Sequence, residues 1–228
     1  MNNLFANYCD KMLDLKNAVL TDGYYYASLP LCIIDSIYSI NANYTSTVNV
    51  VKRFCKYRNI PIYRKRTTEY PDVGTQFKIT EFVKTLEEND ASYNAKNVFS
   101  NLQRTSSRSG ILKAEAVYLW AKALERHSID VFQDVNKIDF YVENELFAIK
   151  GQGSGLSLSY FYMLSGNDER CKPDRHILKF ISDALDRSIN DTAYAQKIMT
   201  DAVSILKDKY PHINVRLLDN MIWKFMSK

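Results

Sequence analysis

Three of the chain's seven glycines stand at every second position in one turn, Gly151-Gln152-Gly153-Ser154-Gly155, so unusual backbone geometry is concentrated at a single place in 228 residues. The segments on either side, Asp139 to Ile149 and Leu156 to Leu164, read as helices, which makes the turn a helix-to-helix connection. Two uses fit such a connection. Glycines at i and i+2 let backbone N–H groups converge outward, and with the first turn of the next helix they make a site for one phosphate. Equally, a tight turn between helices needs glycine for positive φ and binds nothing. The dinucleotide fingerprint GxGxxG does not fit, because its third glycine comes three positions after the second and here it comes after two. The missing Gly-Lys-Ser/Thr ending excludes a Walker loop.

Helical periodicity dominates the rest. Leu4, Tyr8, Met12, Leu15 and Val19 predict a first helix that Asp22-Gly23 stops. Further helices are predicted over Leu29 to Ile40, Tyr44 to Tyr57, Thr75 to Glu88, Ala91 to Leu102 and Ile111 to His127, with a short one over Ile129 to Asn136. Asp174 to Arg187, Asp191 to Lys209 and Val215 to Met226 close the chain. No stretch shows a convincing period of two, so the expected fold class is all-α. With 46% hydrophobic and 25% charged residues, the chain has the composition of a soluble globular protein with its own core.

A formal charge of only +4 means that any nucleic-acid partner must be met by local clustering. The densest positive run is Arg58 to Arg66, punctuated by Pro61 and interleaved with tyrosine; Arg104 to Gly110 is a second polar loop. Each suits either a phosphate contact or an ordinary solvated face. Cys9, Cys32, Cys55 and Cys171 form no CxxC pair and no cluster with His127, His176 and His212, which supports neither zinc nor an iron–sulfur cluster. No signal peptide and no membrane-spanning apolar run stands out, so the expected location is cytoplasmic.

Asp174 is the foremost chemical candidate. It follows Pro173 at a helix start, where its carboxylate is suited to cap backbone N–H groups. Those donors and the helix dipole hold such a carboxylate ionised, able to stabilise a developing cation or activate water. Asp35 is embedded in Leu31-Cys32-Ile33-Ile34-Asp35-Ser36-Ile37, and a carboxylate there needs a partner or a function. Tyr38, Tyr160 and Tyr162 are candidates for lining a pocket with it.

The order Gly-x-Gly hairpin, apolar helix, polar connection and Pro173-Asp174-Arg175-His176-Ile177 resembles the helix-hairpin-helix DNA glycosylase superfamily, in its form without an iron–sulfur cluster. That family's pattern is Leu-Pro-Gly-x-Gly-x-Lys followed by x-Asp-x-His-x. Upstream, Ile34 to Ala42 is similar to the family's early Ser-x-Gln helix end, and Lys113-Ala114 to its Lys-Ala helix start. The resemblance implies two helical lobes with a DNA-binding cleft between them. One spans 29–171 and ends in the hairpin 139–165; the other combines 1–28 with 172–228. It further implies that Lys150, Gly151, Gln152, Gly153, Ser154 and Gly155 bind a DNA phosphate, with an alkali-metal ion at 149–155 and no other cofactor. Asn41 would fill the gap left by a flipped base, and Asp174 would stabilise the oxocarbenium-like sugar while Asp35, Tyr38 and Tyr162 border the base. The partner is double-stranded DNA with an extruded nucleotide, without a membrane or a nucleotide cofactor.

Where bifunctional members carry the nucleophilic lysine, two residues past the second hairpin glycine, this chain has Gly155. The resemblance therefore implies a monofunctional glycosylase without lysine-dependent lyase chemistry. Its base is oxidised, alkylated, deaminated or deliberately modified, which makes repair or defence against modified phage DNA its setting. The competing expectation is a helix-hairpin-helix protein that binds DNA without cutting a glycosidic bond.

Overall fold

The computed structural model describes residues 2–67 and 69–227, without the side chain of Asn2. The chain is all-helical. Among the described residues there is no strand, only two isolated antiparallel bridges, Tyr26–Tyr63 and Arg104–Leu112. The main helices are α1 (Asn2–Met12), α2 (Leu29–Tyr38), α3 (Tyr44–Arg58), α4 (Ile79–Glu87), α5 (Ala91–Tyr93), α6 (Lys113–Arg126), α7 (Phe140–Ala148), α8 (Leu156–Leu164), α9 (Arg175–Leu185), α10 (Thr192–Leu206) and α11 (Val215–Met226).

The chain divides into two compact units, Met1–Tyr24 with Gly166–Lys228, and Tyr25–Ser165. The sequence reading puts the boundaries at 28/29 and 171/172, whereas the units divide at 24/25 and 165/166. The whole connection leading to Asp174 thus belongs to the first unit.

In the Tyr25–Ser165 unit α2 is the central element. Every one of its residues is buried, as befits a helix apolar almost all round, and it packs against α3, α4, α6 and α8. Pro30 sits in its first turn, where no intrahelical N–H is needed. Its carboxyl end is capped from afar. Lys113 Nζ, on a side chain 3% exposed, donates to the carbonyls of Tyr38 (3.0 Å) and Ile40 (2.6 Å) and to Gln103 Oε1 (3.1 Å). A cation at a helix C-terminus meets both the orphan carbonyls and the dipole.

In the other unit α1 packs on α9 and α10, and α11 closes on both of those helices around Phe5, Cys9, Phe180, Met199 and Leu218. The apolar stripe of α1 is offset from the expected one. Phe5 and Cys9 are buried and Leu4 is 55% exposed. The helix ends at Met12 rather than running to Asp22; Leu15 and Ala18 are buried beyond it in irregular backbone, and Val19 is exposed.

Two further helices differ from expectation. Thr75 to Glu88 becomes a short 3-10 turn, Val73–Thr75, and then α4, whose start is fixed by Glu81 accepting the Lys78 N–H at 2.9 Å. Ala91 to Leu102 becomes α5 continued by a π-helix over Asn94–Val98. Buried Asn94 donates back to the Leu86 carbonyl at 2.8 Å and the Asn89 carbonyl at 3.2 Å, and Ser100 at φ 46° ends the segment.

Candidate functional site

The glycine turn joins α7 to α8 within the Tyr25–Ser165 unit. Gly151 (φ 89°) and Gly155 (φ 73°) occupy the left-handed region, and Gly155 is the N-cap of α8. A Cβ on Gly151 would lie 2.4 Å from Thr105 Cβ, so this glycine is required both by φ and by the close approach of the 104–110 loop. Within the turn the Gln152 N–H bonds to the Ile149 carbonyl (2.9 Å) and the Gly155 N–H to the Gln152 carbonyl (3.1 Å). Among the described residues the N–H groups of Gly153 and Ser154 find no hydrogen-bond acceptor, and both residues are exposed. Lys150 is exposed beside them. The turn therefore offers two backbone donors, one ammonium group and the start of a nine-residue helix to an anion.

Gln152 departs from its expected role. It is only 4% exposed, with Oε1 buried and unpartnered, so its side chain is part of the interior and is no surface contact.

Asn41 lies just past α2, exposed and at φ 52°, a conformation asparagine tolerates better than most residues. The three residues expected to border a base are all engaged in packing. Asp35 Oδ2 accepts from Tyr26 Oη (2.8 Å) and Tyr160 Oη (3.4 Å). Tyr162 Oη donates to Glu143 at 2.7 Å and so ties α8 to α7. Tyr38 is 1% exposed against Phe99, with its hydroxyl buried and unpartnered. Burial pushes the Tyr38 phenol well up.

Two of the four cations in the basic run lie over aromatic rings. Arg58 lies over Phe77, and Arg64 lies over Tyr25, Tyr70 and Phe132 while donating to the carbonyls of Thr67 and Glu69. Arg64 is half-buried there, whereas Arg58, Lys65 and Arg66 are exposed. In the second polar loop, Arg104 donates to the Gly110 carbonyl and Arg108 is exposed.

In the other unit Asp174 is the N-cap of α9. Its Oδ1 accepts the N–H groups of His176 (2.9 Å) and Ile177 (3.4 Å), and among the described residues Oδ2 takes no hydrogen bond. The side chain is half-buried. One residue that the sequence reading missed stands near it. Asp219, on α11, is 4% exposed and accepts the Lys172 N–H at 2.8 Å. Burial pushes its carboxyl up to about 8; the Lys172 N–H opposes this and the charge of Asp174 adds to it. Two carboxyl groups are thus held in different environments within a few residues of one turn. The only sequence signal was a polar trio, Arg216, Asp219 and Asn220, at i, i+3 and i+4 of an otherwise apolar helix face.

Among the described residues no three His, Cys, Asp or Glu side chains come together as a metal-binding group, and no helix is long and apolar enough to cross a membrane. All four cysteines are free and buried. No curated protein and no solved structure matches the chain. Residues 3–227 match the family described as a domain of unknown function (DUF8548), and the chain belongs to that family.

Proposed function

We propose that this protein is a monofunctional DNA glycosylase with a helix-hairpin-helix over α7 and α8. Asp174 is its catalytic carboxylate. The observation that carries the reading is the state of Asp174: Oδ1 is fixed by two backbone donors at the start of α9, and among the described residues Oδ2 takes no hydrogen bond. A carboxylate so held is preorganised for a cation that develops beside it.

In the proposed reaction the bond between C1′ and the base nitrogen breaks and the electron pair leaves with the base. Asp174 stabilises the oxocarbenium-like sugar and orients a water, whose oxygen bonds to C1′. The proton that the water loses is returned to the departing base through Asp174 or solvent, leaving a free base and an abasic site. Gly155 in place of a lysine leaves no amine there for a Schiff base. The Gly153 and Ser154 N–H groups and Lys150 grip a phosphate beside the extruded nucleotide. Among the described residues the main-chain oxygens of Gly151 and Gly153 take no hydrogen bond, and they are hard donors that would suit an alkali-metal ion, which would supply positive charge near that phosphate.

The test is base release, read by mass spectrometry, from duplexes bearing oxidised, alkylated or deaminated bases and from phage DNA with modified bases. Wild type is compared with Asp174→Asn. Release by wild type alone, with DNA affinity retained by the variant, is the expected result. Binding without release from any DNA would replace the reading with a non-catalytic DNA-binding protein. Undiminished release by Asp174→Asn would remove Asp174 from the chemistry.

A further inference from the structure

The connection 166–174 is irregular backbone, yet side chains of α10 and α11 hold it at successive points. Arg216 Nη2 meets Asp168 Oδ1 at 2.6 Å. Gln196 Nε2 donates to the Glu169 carbonyl at 3.0 Å, and its Oε1 accepts the Cys171 N–H at 2.9 Å. Asp219 Oδ1 then accepts the Lys172 N–H at 2.8 Å. The Lys172 carbonyl in turn accepts the Asp174 N–H at 2.6 Å. Residue 172 is therefore gripped at both of its backbone polar groups, by Asp219 on one side and by Asp174 itself on the other.

We infer that Asp219 is a positioning residue for Asp174: by taking the Lys172 N–H it fixes the turn from which the Asp174 carboxylate is presented at the start of α9. Its catalytic consequence rests on the glycosylase reading; the positioning does not. A buried carboxylate in an apolar helix face is costly to keep, and leucine or isoleucine would fill the place at less cost if packing were its only duty. Asp219 instead supplies an acceptor for the Lys172 N–H, in a connection with no regular backbone partner for it. The charged groups acting on it are Asp174 and Lys172 of the connection, and the titratable group it acts on is the Cys171 thiol, which burial pushes well above its ordinary value. Asp219 is thus a neutral acceptor around pH 7, and at higher pH it becomes a second negative charge beside Asp174.

Two variants separate the roles. Asp219→Asn keeps an acceptor for Lys172 and has no proton to lose; Asp219→Leu fills the space and offers no acceptor. The first measurement is on the 15N-labelled full chain, following the Lys172 and Asp174 amide resonances from pH 6 to 9, since the Asp174 N–H donates to the Lys172 carbonyl. Both should titrate together in wild type, stay flat in Asp219→Asn, and be displaced in Asp219→Leu. The second is affinity at pH 7 for a duplex with a cationic pyrrolidine abasic-site analogue against one with a neutral tetrahydrofuran analogue. The first analogue carries the charge that Asp174 would meet in the transition state.

Wild type and Asp219→Asn should share a preference for the cationic duplex to within about threefold, and Asp219→Leu should lose it by about tenfold or more, with its affinity for the neutral duplex unchanged. A preference that survives in Asp219→Leu, or an Asp174 amide that ignores Asp219, would overturn the inference. Absence of the preference in wild type would count against the glycosylase reading, and the amide titration alone would then decide the positioning. If Asp219→Leu does not fold, the contrast between wild type and Asp219→Asn decides it.

Discussion

The Tyr26 hydroxyl donates to Asp35 Oδ2 over 2.8 Å, and both side chains are buried in the Tyr25–Ser165 unit. Tyr160 reaches the same oxygen at 3.4 Å, so the carboxylate that stands out in an apolar helix is satisfied by two phenols. Burial, reinforced by the charge of Asp35, keeps the Tyr26 phenol well above its ordinary value and hence a donor throughout the neutral range. Tyr26→Phe should then cost about 1–3 kcal/mol in urea unfolding, because it removes the shorter of two hydrogen bonds to a buried carboxyl group. An Asp35 that protonated a base would show a different signature, with Asp35→Asn stopping base release at unchanged stability.

Tyr38 gives the opposite expectation. Its hydroxyl is buried and bonded to nothing. Tyr38→Phe removes a polar atom that already lacks a partner and should be neutral or stabilising by up to about 1 kcal/mol. A thermal unfolding midpoint that drops by several degrees would mean that the hydroxyl has a partner in solution, and would reopen a role for Tyr38 beside a base.

Lys113 binds three acceptors at one end of α2 with a side chain 3% exposed. Lys113→Met keeps the aliphatic stem and strands the Tyr38 and Ile40 carbonyls, so a loss of about 2–4 kcal/mol is expected. Lys113→Arg should recover little of it, since a planar guanidinium does not fit a site built around one ammonium point. Equal stability of all three proteins by chemical denaturation would show that the α2 end needs no cap.

Much of this was legible in the sequence where local chemistry decides the structure. The ranges Leu156–Leu164 and Val215–Met226 are found as read, because Gly155 and Asn214 cap the helices that follow them. Asp174 was readable as a cap for the same reason: Pro-Asp before an apolar run is a local signal. What local chemistry does not decide was misread. Leu15 and Val19 continue the spacing of α1, but only the packing around Leu15 and Ala18 shows that the helix has already ended. The pull of Asn94 on the α4 end, which widens a helix into a π-turn, depends on carbonyls of residues several positions away. Asp219 is the extreme case, since its partner is 47 residues distant and the polar trio in its own helix does not say what it binds.

The glycine turn predicts a contrast between neighbours. At Gly151 a methyl group would meet Thr105 Cβ at 2.4 Å and Thr105 Oγ1 at 2.5 Å in a backbone with φ 89°. At Gly153 the nearest atom would be the Phe147 carbonyl oxygen at 3.8 Å, an ordinary contact. Gly151→Ala should destabilise by about 2 kcal/mol or more, whereas Gly153→Ala should stay within about 0.5 kcal/mol of wild type. On the glycosylase reading, Gly153→Ala at unchanged stability weakens DNA binding, because the added methyl crowds the donors that face a phosphate. If both variants fold and bind like wild type, the turn is neither tightly packed nor a phosphate site.

Asp219 makes stability depend on pH in a direction opposite to the usual carboxylate. Its folded value is pushed up to about 8 from an ordinary 3.8, so between those limits the folded protein holds a proton that the unfolded chain has lost. Its contribution is therefore full below about pH 4 and declines as pH rises, by at most about 1.4 kcal/mol per pH unit, until it levels off above about pH 8. Asp10 and Glu87 run the other way. Lys209 beside Asp10 and Lys122 beside Glu87 hold those carboxyls below their ordinary values, and their contributions are lost only as pH falls into the acid range. Between pH 5 and 8 the wild-type curve minus the Asp219→Asn curve isolates Asp219, because every other titrating group cancels. That difference should widen steadily in favour of the variant, reaching about 4 kcal/mol at most by pH 8. Parallel curves would mean that Asp219 is already ionised in the folded protein. The Lys172 turn would then carry two negative charges at neutral pH, and the neutral-acceptor account of how Asp174 is held would have to be abandoned.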